Sequence, residues 1–256
     1  MRDMLKYEEY GGRNQRTVML LHGGGLAPWN YRKAAEMLQS DFRVILPVLD
    51  GHAGSDCHFT TIESNAAEMI AFIREKLGGT VELLGGLSLG GQILLEMLSQ
   101  QGDICRHALI ESAMVIPAKL THALAAPAFG CSYPLIRQKW FAKLQFRQLR
   151  MDADYFADYY RDTCAVEKAD MIAFMKANTS YQLKKSAGNC SADVHIYYGE
   201  KESSGIRRSA ACIHSALPES ILTELPGMYH GDFSINHPEM YVRAIREICG
   251  DCPRKD

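Results

Sequence analysis

Residues 81 to 100 read VELLGGLSLGGQILLEMLSQ, and this stretch decides the fold. The apolar run VELL predicts a buried strand, and QILLEMLSQ at 92 to 100 has the pattern of a helix. Between them, GLSLGG at 86 to 91 contains a GxSxG sequence centred on Ser88. A strand that turns directly into a helix strains the backbone at the serine, exposes its hydroxyl and requires small neighbours. This position between a strand and a helix favours Ser88 as a nucleophile.

Strand-like and helical segments alternate along most of the chain. Apolar runs at 17–22, 43–49, 81–84, 108–110, 194–198 and 221–225 predict strands, and helical spacing recurs at 62–77, 206–217 and from Pro238. Such alternation predicts an α/β domain with a mostly parallel sheet. Residues 5–10 and 13–20, which flank Gly11-Gly12, predict an antiparallel pair at one edge.

The stretch from 114 to 188 interrupts this alternation. It contains no strand-like run and reads as several helices rich in aromatic residues and methionine. The twelve residues of this kind that stand out are Phe129, Tyr133, Trp140, Phe141, Phe146, Tyr155, Phe156, Tyr159, Tyr160, Phe174, Met175 and Tyr181. We interpret it as an insertion over the carboxyl edge of the sheet, where open α/β folds bind ligands. Most of these side chains are expected to be ordinary core, and a few to line a pocket.

Composition and charge narrow the class of protein. The 256 residues are 47% hydrophobic and 23% charged, with a formal net charge of −2, which suits one large globular domain. No cluster of lysine and arginine is long enough for a nucleic-acid partner, so none is expected. The polar N-terminus lacks the apolar core of a secretory signal, and no run is long enough to cross a bilayer. We predict a cytoplasmic protein without membrane insertion, and a homo-oligomer is possible.

The eight cysteines are scattered without the spacing of a disulfide framework. Reduced thiols are therefore expected. Cys249 and Cys252 form one CxxC at the end of the last helix, but no second pair completes a zinc site. We predict no metal and no disulfide role for this pair.

A second glycine-rich sequence, His22-Gly23-Gly24-Gly25, ends the strand at 17–22. Glycines there let the backbone approach a ligand and offer N–H groups to an oxyanion. The N–H groups of Gly24 and Leu89 are the predicted donors. A phosphate loop is the alternative, but the sequence lacks the GxGxxG pattern and the lysine of a nucleotide site. No cofactor is therefore expected.

Taken in order, LLHGGG, LDGHAGSD at 49–56, GLSLGG, YYGEKE at 197–202 and MYHGDF at 228–233 resemble the α/β-hydrolase family over nearly the whole chain. The resemblance implies an α/β-hydrolase fold with an eight-stranded, mostly parallel sheet, flanking helices and a helical cap inserted after the sixth strand. It also implies a triad in the order serine, acid, histidine. The core domain would then comprise residues 1–113 and 189–256, and the cap residues 114–188.

For the base, three histidines follow the candidate acid loop. His214 lies within a helical pattern and His237 directly precedes the proline that opens the last helix, whereas His230 lies in a loop. His230 also matches the catalytic histidine that the resemblance implies. A surface-loop histidine without a role is the alternative.

For the acid, the family usually has an aspartate after the strand that matches VHIYYG, whereas this chain has Gly199-Glu200-Lys201-Glu202. Glu202 falls at the matching position, and a glutamate can orient an imidazole as an aspartate does. Glu200 beside it, and Glu111 at the end of the preceding strand, stay open as alternatives.

His22 and His52 are expected to brace their loops through hydrogen bonds. His52, Asp56 and His58 could be imagined as metal ligands, but their spacing does not support a metal site.

The resemblance and the motifs together predict a serine hydrolase that cleaves a small, apolar carboxylic ester through an acyl-enzyme on Ser88. Lactone or C–C bond hydrolysis, acyl transfer to an alcohol, and a lyase reaction use the same triad and stay open. A protein of another class, a non-catalytic ligand-binding or interaction protein on this fold, is the remaining alternative.

Overall fold

The computed structural model describes residues 5–250 of the chain. Cys252 lies outside the described residues, so the CxxC hypothesis is not addressed by the structure. Cys249 follows the last helix directly, as the sequence predicts.

Seven strands form one sheet within the described residues, and all but the first are parallel to their neighbours. In chain order they are β1 (Tyr7–Tyr10), β2 (Thr17–Leu21), β3 (Arg43–Pro47), β4 (Val81–Leu87), β5 (Cys105–Glu111), β6 (Asp193–Gly199) and β7 (Ile221–Leu225). The order across the sheet is β1-β3-β2-β4-β5-β6-β7. The α/β-hydrolase fold is confirmed, but with seven strands in residues 5–250 where eight were expected.

The antiparallel strand at the N-terminal edge was predicted, but the predicted partner strand is wrong. β1 pairs with β3 and not with β2, so that Tyr7 lies opposite Pro47. Gly11 explains the difference, because its φ is +62° and a Cβ there would come within 2.6 Å of the Gln39 carbonyl. The turn after β1 thus packs against the segment that leads into β3, and one antiparallel strand replaces the expected hairpin.

Helices cover both faces of the sheet. The ten α-helices of the described residues are α1 (Arg32–Leu38), α2 (Ile62–Lys76), α3 (Leu89–Gln100), α4 (Lys119–Ile136), α5 (Lys139–Gln148), α6 (Phe156–Ala165), α7 (Lys168–Ser180), α8 (Ser204–Ala216), α9 (Asp232–Ile235) and α10 (Pro238–Ile248). The core beneath α2, α3 and α8 contains Met19 and Leu84, whereas the core beneath α1 and α10 contains Leu20 and Leu83.

This alternation along each strand explains why the strand sequences are continuously apolar. Leu20 and Leu83 face one side, Met19 and Leu84 face the other, and all four are buried. Each such side chain contributes about 2 kcal/mol of hydrophobic free energy. The two cores fix the strand ends, and therefore the residues that follow each strand, at one edge of the sheet.

Between β5 and β6 the chain forms α4 to α7 and no strand. The expected insertion after the sixth strand thus follows the fifth strand, because only one strand precedes β2 in the described chain. Two prolines, Pro127 and Pro134, lie inside α4. The division into a core and a cap stays a prediction.

Among residues 5–250, no helix combines the length and the apolar character needed to cross a membrane.

Candidate active site

Ser88 lies at a sharp turn, between the last residue of β4 and the first residue of α3. Its φ of +53° and ψ of −110° are rare for a residue with a side chain, which is the strain that the GxSxG sequence predicts. The flanking glycines are required by space. A Cβ on Gly86 would come within 2.5 Å of the Gly90 carbonyl oxygen, and one on Gly90 would overlap the Leu21 carbonyl. The hydroxyl is half-buried and faces a cavity.

His230 follows β7 in a short loop before α9, and its ring reaches the loop after β6. The Nδ1 atom lies 2.8 Å from Oε2 of Glu202. Ser88 and His230 line the same cavity. The structure therefore brings together the three residues that the sequence predicted for a triad.

Glu202 is held by two further hydrogen bonds. Its Oε1 accepts one from the Ser112 hydroxyl at 2.6 Å and one from the Gly199 N–H at 2.9 Å. The Glu202 carboxylate is fully buried, whereas 48% of the His230 side chain is exposed. Protein therefore surrounds the acid while the imidazole stays accessible from the cavity.

These contacts shift both ionisation equilibria. Burial raises the pKa of Glu202, but the hydrogen bond and charge of His230, with the Ser112 hydroxyl, outweigh it and lower that pKa overall. Partial burial lowers the pKa of His230, but the hydrogen bond and charge of the Glu202 carboxylate outweigh it and raise that pKa above its usual 6.5. A negative carboxylate thus favours a positive imidazole.

Sequence analysis missed Ser112. It lies directly after β5, has a φ of +56°, and its N–H donates to the Tyr197 carbonyl at 3.0 Å. Its partner Glu202 is 90 residues away in the sequence. The sequence did contain one signal for Ser112: it is a polar residue directly after a buried strand, at the carboxyl edge of the sheet where ligands bind.

The two alternative acids bind elsewhere. Glu200 accepts a hydrogen bond from the Gly227 N–H at 2.7 Å and so braces the loop after β7. Glu111 is buried, and its Oε1 accepts from the Ser234 N–H at 3.3 Å. Burial raises the pKa of Glu111 to about 7. Neither carboxylate has a hydrogen bond to His230 among the described residues, so the geometry favours Glu202.

The predicted oxyanion donors lie close to each other and to Ser88. A Cβ on Gly24 would be 3.5 Å from the Leu89 side chain, and Gly24 lines the cavity. Leu89 is the first residue of α3, and an N–H group in the first turn of a helix has no acceptor within that helix. Both backbones are therefore positioned near the serine.

His22 and His52 brace neighbouring loops, as expected. The His22 Nδ1 lies 3.0 Å from the Gly23 carbonyl, and its Nε2 accepts from the Leu49 N–H at 3.2 Å. The His52 Nδ1 lies 3.0 Å from the Asp50 carbonyl, and its Nε2 accepts from the Gly25 N–H at 3.1 Å. Burial lowers the pKa of His22 to about 3 and that of His52 to about 4, so both rings are neutral.

The cavity has a volume of about 200 Å³ and lies between the strand ends and the inserted helices. The strand side supplies Gly23, Gly24, Leu87, Ser88 and His230. The insertion supplies mostly apolar side chains, namely Phe129, Ile136, Leu149, Met151, Tyr159, Met171, Phe174 and Met175. Of the twelve aromatic and methionine residues singled out in the sequence, four (Phe129, Tyr159, Phe174 and Met175) thus line this cavity.

His52, Asp56 and His58, which the sequence analysis considered as metal ligands, do not come together in a common metal site. His52 is engaged on both ring nitrogens, and Asp56 pairs with Lys6 at 2.6 Å. A different group, formed by His58, Glu167 and Asp170, places three possible ligand atoms within 4.8 Å of one another. Both Asp170 oxygens already contact the Phe59 N–H or the His58 ring, and we propose no metal there.

Comparison with known proteins places this arrangement in a family. The sequence profile described as the alpha/beta hydrolase family matches residues 18–244. The chain therefore belongs to the alpha/beta hydrolase family, and this membership supports a hydrolase. A comparison with curated protein sequences gave no match.

Solved structures with the same fold cover almost the whole chain. A thermophilic esterase from Thermogutta terrifontis is 19% identical with a TM-score of 0.77, covering 95% of this chain and 92% of its own. An enol-lactonase from Burkholderia xenovorans LB400 is 16% identical with a TM-score of 0.78, covering 96% of both chains. A bromoperoxidase from Bacillus anthracis is 16% identical with a TM-score of 0.82, covering 96% and 95%. At these identities the likeness shows the fold alone.

Proposed function

We propose that this protein is a serine hydrolase that cleaves a small, apolar carboxylic ester through a Ser88–His230–Glu202 triad. One observation carries the proposal. His230 contacts the buried Glu202 carboxylate at 2.8 Å while it lines the same cavity as the strained Ser88. A base that is oriented by an acid and shares a cavity with a nucleophile is the arrangement that acyl transfer requires.

In the first step the Ser88 oxygen attacks the carbonyl carbon of the ester, and its proton passes to Nε2 of His230. The electron pair of the C=O bond moves to the oxygen, where the N–H groups of Gly24 and Leu89 stabilise the charge. The tetrahedral intermediate then collapses. The alcohol leaves with the proton from His230, and the acyl group stays on Ser88.

In the second step water replaces the alcohol. His230 removes a proton from the water, which attacks the acyl carbon and forms a second tetrahedral intermediate. The bond to the Ser88 oxygen breaks, and His230 returns the proton to that oxygen. Glu202 keeps its charge throughout and stabilises the imidazolium in both steps.

The cavity wall supports an apolar substrate of modest size. Most of its lining side chains are apolar, and its volume of about 200 Å³ suits a small molecule. We also propose that residues 114–188 act as a cap over the core, because α4 to α7 supply a large share of that wall.

Labelling by a fluorophosphonate probe tests the proposal, together with turnover of a short-chain aryl ester. The wild-type protein should be labelled and active, whereas Ser88→Ala should lose both and His230→Ala should lose at least about a thousandfold in kcat/KM. Ser215→Ala and His237→Ala serve as matched controls, because both residues are exposed. Each control should keep its labelling.

A folded wild-type protein that neither reacts with the probe nor cleaves any ester would overturn the proposal in favour of a ligand-binding protein. Labelling that survives Ser88→Ala would assign the nucleophile to another residue. Hydrolysis of lactones in preference to open-chain esters would keep the triad but change the substrate class.

A further inference from the structure

Two polar side-chain atoms in the cavity wall have no hydrogen-bond partner among the described residues. They are Oγ1 of Thr163, on α6, and Oε1 of Gln145, on α5. Both atoms are buried, and Thr163 as a whole is only 7% exposed. Both residues belong to the inserted helices and line the same cavity as Ser88.

Two neighbouring polar groups do have hydrogen-bond partners. The indole N–H of Trp29 donates to Asp162 at 2.8 Å, next to Thr163, and the Tyr133 hydroxyl donates to the Val166 carbonyl at 2.9 Å. Tyr159 lies one turn before Thr163, and burial raises its pKa while the neighbouring Thr163 hydroxyl partly offsets the rise. No hydrogen bond of normal geometry reaches Oγ1 of Thr163 within the described chain. Such an atom costs free energy unless a ligand pairs with it.

The charge of the cavity limits what that ligand can be. Among residues 5–250, no lysine, arginine, aspartate or glutamate lines the cavity, and His230 is the one lining residue with a side chain that titrates near neutral pH. A carboxylate, phosphate or ammonium group would enter without a counter-charge, which is expensive. The group that pairs with Thr163 and Gln145 is therefore uncharged.

A hydroxyl group fits this pair better than a carbonyl. The threonine hydroxyl can donate or accept, whereas the Oε1 of Gln145 can only accept. A ligand hydroxyl can donate to Gln145 and can also accept from Thr163, so the same kind of group suits both atoms. A ligand carbonyl would leave the glutamine oxygen unpaired.

We propose that the substrate is an uncharged ester with an apolar body and a hydroxyl group remote from the ester bond, which pairs with Thr163 and Gln145. This inference rests on the proposed function, since the ester must reach Ser88. Met171, Phe174 and Met175, which line the same cavity on α7, would contact the apolar body. The hydroxyl selects the orientation in which the ester carbonyl meets the nucleophile.

Matched esters test the proposal. One series has aryl esters of straight-chain acids of about four to eight carbons and their terminally hydroxylated counterparts. A second series has acetates of straight-chain alcohols and of the corresponding diols. Comparison of the two series shows whether the acyl part or the alcohol part of the ester contacts the cavity wall. At the best chain length the hydroxylated ester should exceed its counterpart about tenfold in kcat/KM, as expected for a site whose buried polar groups are otherwise unpaired.

Thr163→Val and Gln145→Met remove the polar atoms with little change in volume. Each variant should reduce that preference about tenfold, and Thr163→Val should improve the unsubstituted ester while it impairs the hydroxylated one. A purely structural role would change both esters equally. Met175→Leu is the matched control, because it alters the shape of the same wall without polar groups and should leave the ratio near its wild-type value.

Calorimetric binding of the same ester pairs to Ser88→Ala separates this inference from the proposed function. The hydroxylated member should bind about tenfold more tightly, and Thr163→Val in that background should remove the difference. This outcome would support the inference even if Ser88 proves not to be the nucleophile. Labelling of Ser88 with equal kcat/KM and equal affinity for both members of every pair would keep the hydrolase and overturn the hydroxyl site.

Discussion

Two glutamates at the ends of neighbouring parallel strands have opposite electrostatic surroundings. Glu111 is the last residue of β5, and Glu202 follows β6 by three residues. Both are buried, but burial raises the pKa of Glu111 to about 7, whereas the contacts of Glu202 with His230 hold its pKa below the usual value. One carboxyl group is thus near its midpoint at neutral pH, and the other is ionised.

The difference shows that hydrogen-bond and charge partners, and not burial alone, decide which glutamate stays ionised. Glu202 has an imidazole at 2.8 Å and a hydroxyl at 2.6 Å, while Glu111 has one backbone N–H at 3.3 Å. A carboxylate with several donors keeps its charge in a buried site, and one with few donors takes up a proton. We therefore expect replacement by glutamine to have different consequences at Glu202 and at Glu111.

Glu202→Gln should have the largest effect on activity. The amide cannot stabilise an imidazolium, and its NH₂ group can hold His230 in the wrong tautomer. We expect kcat/KM for an aryl ester to fall about a thousandfold or more. Steady-state kinetics on the folded variant would measure this loss.

The dependence of kcat/KM on pH tests whether the charge of Glu202 is the cause of this loss. In the wild type, kcat/KM should rise with pH around a midpoint above 6.5, because the Glu202 carboxylate raises the pKa of His230 and the base must be neutral. Removal of the negative charge lowers that pKa, so the residual activity of Glu202→Gln should rise at a lower pH. An unchanged midpoint would mean that Glu202 does not face His230 in the working enzyme.

Glu111→Gln should change stability and not catalysis. The folded-state pKa of about 7 is above the usual 4.5, so the folded wild type retains a proton that the unfolded chain releases between these values. Wild-type stability therefore falls as pH rises from about 4.5 to 7, and the penalty persists above 7. The variant lacks this penalty, and its advantage in unfolding free energy should grow over that range by up to about 3 kcal/mol.

Urea unfolding of both proteins at pH 5 and pH 8 measures this difference. Glu96→Gln is the matched control, because Glu96 is buried but paired with Lys184 at 2.6 Å, and its loss should bring no gain at pH 8. An equal effect of Glu111→Gln at both pH values would show that Glu111 is ionised in the fold. A thousandfold loss of activity would instead make Glu111 the triad acid.

The sequence predicted the parallel strands because two-sided burial requires continuously apolar runs, as at 17–21 and 81–84. The partner of β1 was not predictable from local pattern. Strands that are adjacent in sequence and joined by two glycines favour a hairpin, but the pairing with β3 depends on how Gly11 packs against a segment about 30 residues away.

Within the site, Ser88 and the glycines around it were predictable because the strain is local to a short motif. Ser112, Gln145 and Thr163 were not, since their significance comes from partners on distant segments or from the absence of one in the described chain. Choosing among the three glutamates likewise required the position of the His230 ring, which depends on the loop after β7.

Ser112→Ala should reduce kcat/KM by less than Glu202→Gln does, because it removes one of the hydrogen bonds that hold the Glu202 carboxylate. The hydroxyl donates a 2.6 Å hydrogen bond to the carboxylate, and the Gly199 N–H still donates to the same oxygen after its loss. We expect a decrease of about tenfold in kcat/KM, the size of one hydrogen bond to a charged group. Ser220→Ala, at a buried serine that bonds His214, is the control and should keep full activity. A loss as large as that of Glu202→Gln would mean that Ser112 itself acts on the substrate.

Glu200→Gln should have the smallest effect, although Glu200 lies only two residues from Glu202. Its Oε2 accepts a hydrogen bond from the Gly227 N–H at 2.7 Å, and the glutamine amide oxygen can accept the same bond. We expect kcat/KM to stay within about twofold of the wild type, because neutral replacement of an exposed carboxylate usually changes little. The pH midpoint should also stay, since Glu200 has no hydrogen bond to His230 in the described chain. A shift of that midpoint as large as the shift in Glu202→Gln would show that either glutamate of the loop after β6 can contact His230. The difference in electrostatic surroundings that matters would then be the one between Glu200 and Glu202, and not the one between Glu111 and Glu202.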